Sequence, residues 1–218
     1  MIDDGRPPLI IIGTGDHAHV LIEALQAGGR TPSGFLEVDG STSHGVHWCG
    51  MDVLGDLTAE FAWRDQLGAA TFVVGIGDNM VRADAYERAI QAGLTPETVV
   101  HPTATLLGGC NIGAGSQVCA GVVVGVNAMV GINAIVNTAA TIDHDNVLGD
   151  HASIGPGAHL AGRVTVGSYT HIGIAASINE GITVGARCVV AAGAAVVTGV
   201  PDGVRVAGVP ARAMASDR

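Results

Sequence analysis

From Leu106 to Val196 every sixth residue is aliphatic without one failure, running through Ile112, Val118, Val124, Val130, Val136, Ile142, Leu148, Ile154 and Leu160 to Val190. A second column, four residues after each, holds small or β-branched residues such as Ser116, Val122, Ala128, Ala134, Ala140 and Ala152. Its irregular members are Cys110, Asn146, Ile182 and Cys188. Glycine often follows the aliphatic residue, as at Gly113, Gly125, Gly131, Gly149 and Gly167, and is expected to permit the repeated turn. A period of six fits neither an amphipathic helix nor the alternation of a hairpin strand. Short strands joined by tight turns satisfy it, and three such segments per coil stack into a triangular prism, a parallel β-helix.

Before residue 99 the pattern changes. Leu9-Ile-Ile-Ile12 predicts a buried strand, followed by Gly13-Thr-Gly-Asp-His-Ala-His19 and a helical pattern over Val20–Leu25 that ends near Gly28-Gly29. Gly34–Val38 and Phe72–Val74 predict two further strands, and Gly75-Ile-Gly-Asp-Asn79 leads into a second helix from about Arg82 to Ala92. This order predicts a Rossmann-like βαβαβ domain of the α/β class over 1–98 and an all-β solenoid over 99–218, with Val99–Ala104 as the hand-over. The third glycine of a dinucleotide fingerprint is absent, which argues against a full dinucleotide site. What remains open is a phosphate- or nucleotide-cradling turn, or a glycine turn that merely closes the fold.

Composition narrows the partners. With 33 Gly, 48% hydrophobic and only 3% aromatic residues, the core must be built from small and β-branched side chains. A net charge of −10 argues against a nucleic-acid groove, although a glycine turn could still hold an anion through backbone amides. Cys49, Cys110, Cys119 and Cys188 show no metal-ligand spacing and are expected as free, buried thiols in a reducing cytosol. No leader pattern opens the chain and Leu9–Ile12 is too short to cross a bilayer, so a cytoplasmic protein with no membrane partner is expected.

Among the histidines, His44, His47 and His101 are expected to be solvated loop residues. His151, His159 and His171 lie on turns or faces, and the successive gaps from His144 onward match no whole coil, so no metal site is expected. His144 differs, because Asp143 and Asp145 flank it at a corner of its hexad. Imidazole titrates near neutrality, and an adjacent carboxylate raises its basicity and selects its tautomer. The pair suits a general base for an amine or hydroxyl; the plainer alternative is a solvated polar turn. One coil on stands Gly162, which would leave room above the ring and expose an N–H to an oxyanion, or would simply serve a turn.

Together, the glycine turn and histidine at 13–19, the Gly34-Phe-Leu-Glu strand, Ile76-Gly-Asp-Asn79 with Arg82, the hexads, the Asp143-His144-Asp145 corner and the closing Gly208-Val-Pro-Ala-Arg212 resemble bacterial sugar-nucleotide acetyltransferases. That group contains the N-acetyltransferases of nucleotide-linked 4-amino-4,6-dideoxysugars and the sialic acid O-acetyltransferase-like proteins. The resemblance spans nearly the whole chain. It implies a left-handed β-helix, a homotrimer with active sites at subunit interfaces, acetyl-CoA as co-substrate without a metal, and a nucleotide-activated amino sugar on the N-terminal domain. It further implies His144 as base, Asp145 as its supporting acid and Gly162 as oxyanion donor. Ser153, Ile174 and Ala192 would line acetyl-CoA, while Gly15, Asp16, His17, Glu37, Gly77 and Asn137 would bind the sugar nucleotide.

Four positions depart from the family pattern. Asp16 replaces a glycine and brings a carboxylate towards a diphosphate, a repulsive pairing. Val38 stands where a second acid is common, Ser153 where a histidine is usual, and Ala192 where glycine is usual. The expected function is acetyl-CoA-dependent N-acetylation of a nucleotide-linked amino sugar. The alternatives are O-acetylation of a sugar such as a sialic acid, and a non-catalytic β-helix scaffold.

Overall fold

The structure, a computed structural model, describes residues 5–38, 47–57 and 67–214. The chain forms two compact units, Met1–Glu97 and Thr98–Arg218.

The N-terminal unit is built on one sheet of strands β1 (Leu9–Ile12), β2 (Gly34–Glu37), β3 (His47–Trp48), β4 (Met51–Asp56), β5 (Thr71–Val74) and β6 (Thr95–Pro96). Its order is β3-β4-β2-β1-β5-β6. The three central strands are parallel and their apolar side chains are buried, as a sheet covered on both faces requires. The order reverses at β1, with β2 on one side and β5 on the other. Three strands extend the expected βαβαβ core. Met51–Asp56 is mostly half-exposed and does not alternate cleanly, and Thr95–Pro96 carries a proline that only a strand end or an edge accepts. Two helices whose whole length is described are Asp16–Ala27 and Asn79–Gln91. The second starts at Asn79 rather than Arg82 because the Asp78 carboxylate accepts the N–H groups of Met80 (2.9 Å) and Val81 (3.0 Å).

The C-terminal unit is a parallel solenoid with three faces of two-residue strands. The first face runs from Val99–Val100 to Arg205–Ala207 and closes with the antiparallel Arg212–Ala213. The second runs from Thr105–Leu106 to Ala195–Val196, and the third from Asn111–Ile112 to Thr183–Val184. Val118, Val136, Ile154, Ile172 and Val190 stack in register down the first face, all essentially buried. Leu106 and Ile112, each in the first strand of its face, are the exceptions: Leu106 is 40% exposed and Ile112 is half-buried.

The glycines after the aliphatic column play a different part from the one expected. The left-handed backbone of the corners falls instead on residues such as Asn127, Asn133, Asp145, His151 and Tyr169, with φ of 49–62°. Gly125 is needed because the next coil passes against it: a Cβ there would lie 2.6 Å from the N of His144. Close approach of two backbones, rather than φ, selects glycine at this column.

The expectation of solvated loop histidines is corrected at His101, which is buried. Its Nδ1 accepts the Thr103 N–H at 3.1 Å and pairs with the Thr103 hydroxyl at 2.8 Å, so the turn closes over the ring. His47 is exposed but lies on β3, facing Asp52 at 2.9 Å. His44 lies outside the described residues.

Truncating the aliphatic column tests the core. Ile154→Ala is expected to cost about 2–5 kcal/mol, read as a lower urea midpoint followed by circular dichroism.

Candidate active site

His144 occupies the corner between the second and third faces, after Thr141–Ile142 and before Val147–Leu148. Asp145 follows in a left-handed conformation, φ 55°, which aspartate accepts more readily than most residues. That turn swings its carboxylate back to the ring, and Nδ1–H of His144 donates to Oδ2 at 2.8 Å. This hydrogen bond is the main cause holding the Asp145 carboxyl below the usual carboxylate range. Asn127, one coil earlier, adds to it by donating to Oδ1 at 3.3 Å. With Nδ1 carrying the proton, Nε2 is left as an acceptor. Asp143, the other flanking acid, serves the backbone instead: its Oδ1 accepts the His144 N–H at 2.7 Å.

Gly162 lies against the ring. A Cβ built on it would fall 2.6 Å from Cε1 of His144 and nearer still to Nε2, so only glycine admits the imidazole. Its carbonyl accepts the Gly181 N–H at 3.0 Å, while its own N–H meets no acceptor among the described residues. The ring remains 42% exposed. A half-exposed imidazole and the buried Gly162, whose N–H has no acceptor among the described residues, therefore lie against each other.

The remaining candidates of the solenoid lie elsewhere. Asn137, Ile174 and Ala192 sit at the corner between the first and second faces, the opposite edge of the second face from His144. An extended segment across that face spans on the order of 15 Å. Ile174 and Ala192 are exposed there, whereas the Asn137 carboxamide oxygen accepts the Thr138 N–H at 2.7 Å. Ser153 is buried on the first face, and its hydroxyl pairs with Nδ1 of His171 at 2.8 Å. The sequence reading missed His171 as the neighbour of Ser153, although the offset of 18 residues was a readable signal. Between the two edges lies a groove of about 410 Å3 lined by Val123, Thr141, Asp143, His159, Ala161 and Ser177. Thr141 and His159 pair there at 2.8 Å, again one coil apart. Among the described residues no group of three His, Cys, Asp or Glu could hold a metal, and no helix is long and apolar enough to cross a membrane.

In the N-terminal unit the candidates gather past the carboxyl ends of β1, β2 and β5, where the sheet order reverses and α/β folds bind ligands. Gly15 is the N-cap of the helix Asp16–Ala27, in extended conformation, and Asp16 opens its first turn. His17 follows, half-buried. Glu37, at the end of β2, is buried and accepts the Thr14 hydroxyl. Arg82 explains the Ile76-Gly-Asp-Asn motif. Fully buried, it donates to the carbonyls of Gly77 (2.9 Å) and Ile76 (3.3 Å) and to Oδ1 of Asn79 (2.8 Å), so it holds the exposed Gly77 turn in shape. Burial pushes its pKa down to about 10.

An α/β unit followed by a parallel β-solenoid, with an acid-anchored imidazole over a glycine, defines a class of acyltransferase-like proteins. A family model described as the PglD N-terminal domain matches residues 8–89. The chain is similar to a mutant GDP-perosamine N-acetyltransferase from Caulobacter crescentus, solved with CoA and GDP-perosamine. The two share 34% identity over 96% of this chain and 97% of that one, with a TM-score of 0.89. It is also similar to the acetyltransferase domain of PglB from Neisseria gonorrhoeae, solved with acetyl coenzyme A, at 35% identity over 96% and 100% of the two chains and a TM-score of 0.85. WeeI from Acinetobacter baumannii shares the fold, at 23% identity over 96% and 100% of the chains and a TM-score of 0.84. Among curated proteins, none matches the chain. The chain belongs to the family of left-handed β-helix sugar N-acetyltransferases.

Asp145 has a depressed pKa, so its pairing stabilises the fold above the usual carboxylate range and is lost as pH falls through the lowered value. The melting-temperature gap between wild type and Asp145→Asn should therefore close in acid. A gap unchanged at low pH would place the effect elsewhere.

Proposed function

We propose that the chain is an acetyl-CoA-dependent N-acetyltransferase acting on the amino group of a nucleotide-linked 4-amino-4,6-dideoxy sugar. The observation that carries this reading is the imidazole of His144, anchored at Nδ1 by Asp145 and held by Gly162 beside a free backbone N–H, in a chain of this family. Nε2 of His144 takes a proton from the sugar amine as its nitrogen attacks the thioester carbonyl. The Gly162 N–H donates to the oxygen on which negative charge develops. The C–S bond then breaks, and the protonated ring returns its proton to the departing thiolate. Asp145 keeps the proton on Nδ1 and stabilises the ring while it is charged.

The nucleotide is held at the switch point of the N-terminal unit by Gly15, His17, Glu37 and Gly77. Asp16 sits in the first helical turn, where it satisfies the positive end of the helix dipole. A diphosphate therefore docks beside Asp16 rather than on it. The solenoid supports a shared site. His144 and Gly162 lie on one edge of the second face and Asn137, Ile174 and Ala192 on the other, so a neighbouring copy is needed to bring the two edges together. A homotrimer, with acetyl-CoA lying between subunits along Ser153, Ile174 and Ala192, fits that separation. The cytoplasm, where acetyl-CoA and nucleotide sugars are available, is the compartment proposed.

His144→Ala should keep the assembly, measured by sedimentation, and lower turnover by about 100- to 10,000-fold, measured as free thiol released from acetyl-CoA with amino-sugar nucleotides. Full activity in this variant would remove His144 from the mechanism. A fully active monomer would reject the shared site. Saturable binding of no UDP-, GDP- or dTDP-sugar would favour a hydroxyl acceptor such as a sialic acid instead.

A further inference from the structure

Inside the prism, beneath the His144 corner, stands a carboxamide whose neighbours one coil to either side are apolar. Asn146 is fully buried, with Ala128 one coil before it and Val164 one coil after it, both fully buried as well. Its Nδ2 donates to the carbonyls of Asp143 at 2.7 Å, Ala161 at 2.9 Å and, more weakly, His144 at 3.4 Å. Surrounded by three acceptors, the amide can be placed only with its nitrogen towards them. Its Oδ1 has no partner among the described residues, a cost that a valine or alanine would not carry.

Those carbonyls belong to particular peptides. The Asp143 carbonyl is one end of the peptide whose other end is the N–H of His144, and the Ala161 carbonyl is joined in the same way to the N–H of Gly162. Both peptides are trans, so each N–H points opposite to its carbonyl. With the Ala161 carbonyl drawn inward by Nδ2, the N–H of Gly162, the residue on which the ring rests, is turned away from the interior of the prism. A donor on the Ala161 carbonyl also polarises that peptide and strengthens what its N–H can give.

Elsewhere the solenoid uses hydroxyls for a simpler version of this contact. Ser116 donates to the Gly131 carbonyl at 2.7 Å and Thr170 to the Gly185 carbonyl at 2.6 Å, at the same offset of 15 residues as Asn146 to Ala161. Each serves one carbonyl on a later coil. Asn146 serves that carbonyl and also the corner of its own coil.

We propose that Asn146 is a positioning residue for the acetyl transfer, a buried clamp that sets His144 and the Gly162 N–H in one frame from inside the solenoid. The proposal rests on the reading of His144 as base and Gly162 as oxyanion donor. The test compares Asn146→Thr with Asn146→Val in the full chain. The two are near-isosteric, and the threonine hydroxyl can repeat the contact of Thr170 while valine cannot. Asn146→Val should lower kcat by about 10- to 100-fold with KM for both substrates unchanged, and Asn146→Thr should recover most of that loss. Asn146→Ser against Asn146→Ala repeats the comparison if the branched side chains do not fold at this corner. Hydroxyl variants no faster than their apolar counterparts, or an apolar variant with wild-type kcat, would overturn it. His144→Ala is assayed alongside. If that variant stays active, the reading of the base has failed; if it is inactive while Asn146→Val is unimpaired, only the clamp has failed.

Discussion

Every contact of the solenoid site depends on one hydrogen-bonded register, in which each coil lies on the next with equivalent residues 18 apart. The buried aliphatic column enforces it. A slip of one residue would turn that column outward on every face, at a cost of roughly 1.5–3 kcal/mol per exposed Val, Leu or Ile. Given the register, neighbours are chosen by coil rather than by chain proximity. Asn127 reaches Asp145, Thr141 meets His159 and Ser153 meets His171, each across a single coil. The His144 ring comes to rest on Gly162 for the same reason.

The corners supply what flat strands cannot. On a strand the side chains of residues 144 and 145 would point to opposite faces. The left-handed backbone at Asp145 folds its carboxylate back onto its neighbour, so an adjacent pair becomes a hydrogen-bonded pair. The same geometry repeats down the next corner, where Asn133, His151, Tyr169 and Arg187 all have positive φ. There Asn133 meets Nδ1 of His151 at 3.0 Å, His151 stacks on Tyr169 at 4.9 Å, and Arg187 lies over the Tyr169 ring. Corner residues thus interact along the axis, and a corner is where an accessible, oriented side chain can be held on a rigid frame.

The N-terminal unit solves a different problem with the same economy of polar groups. Its central strands are buried, and the candidate ligand-binding residues lie past their carboxyl ends. Two interior polar residues shape that rim: Glu37 receives Thr14, and Arg82 ties down the Gly77 turn from below. An arginine buried there is tolerated because carbonyls and a carboxamide meet its donors, even though burial depresses its pKa.

Much of this was legible in the residues. The sixfold aliphatic run contains the three-faced prism, because no other backbone periodicity buries it. The strand–glycine–helix order contains the central α/β sheet. The Asp143-His144-Asp145 triplet and Gly162 at one coil's distance pointed to the corner where an acid, an imidazole and a glycine meet. Less legible were the hairpin at Met51–Asp56, whose half-exposed strand leaves little pattern, and the burial of His101, which depends on Thr103 closing over it. Asn146 read as a blemish in a column of small residues, since its value lies in three carbonyls that sequence cannot place. By itself, then, the chain determined its periodicities, and with them which residues share a face. Only the tertiary structure decided which acid holds the imidazole, why glycine must lie over it, and on which edge each group stands. Those outcomes turn on backbone direction at single corners, and periodicity carries no information about direction.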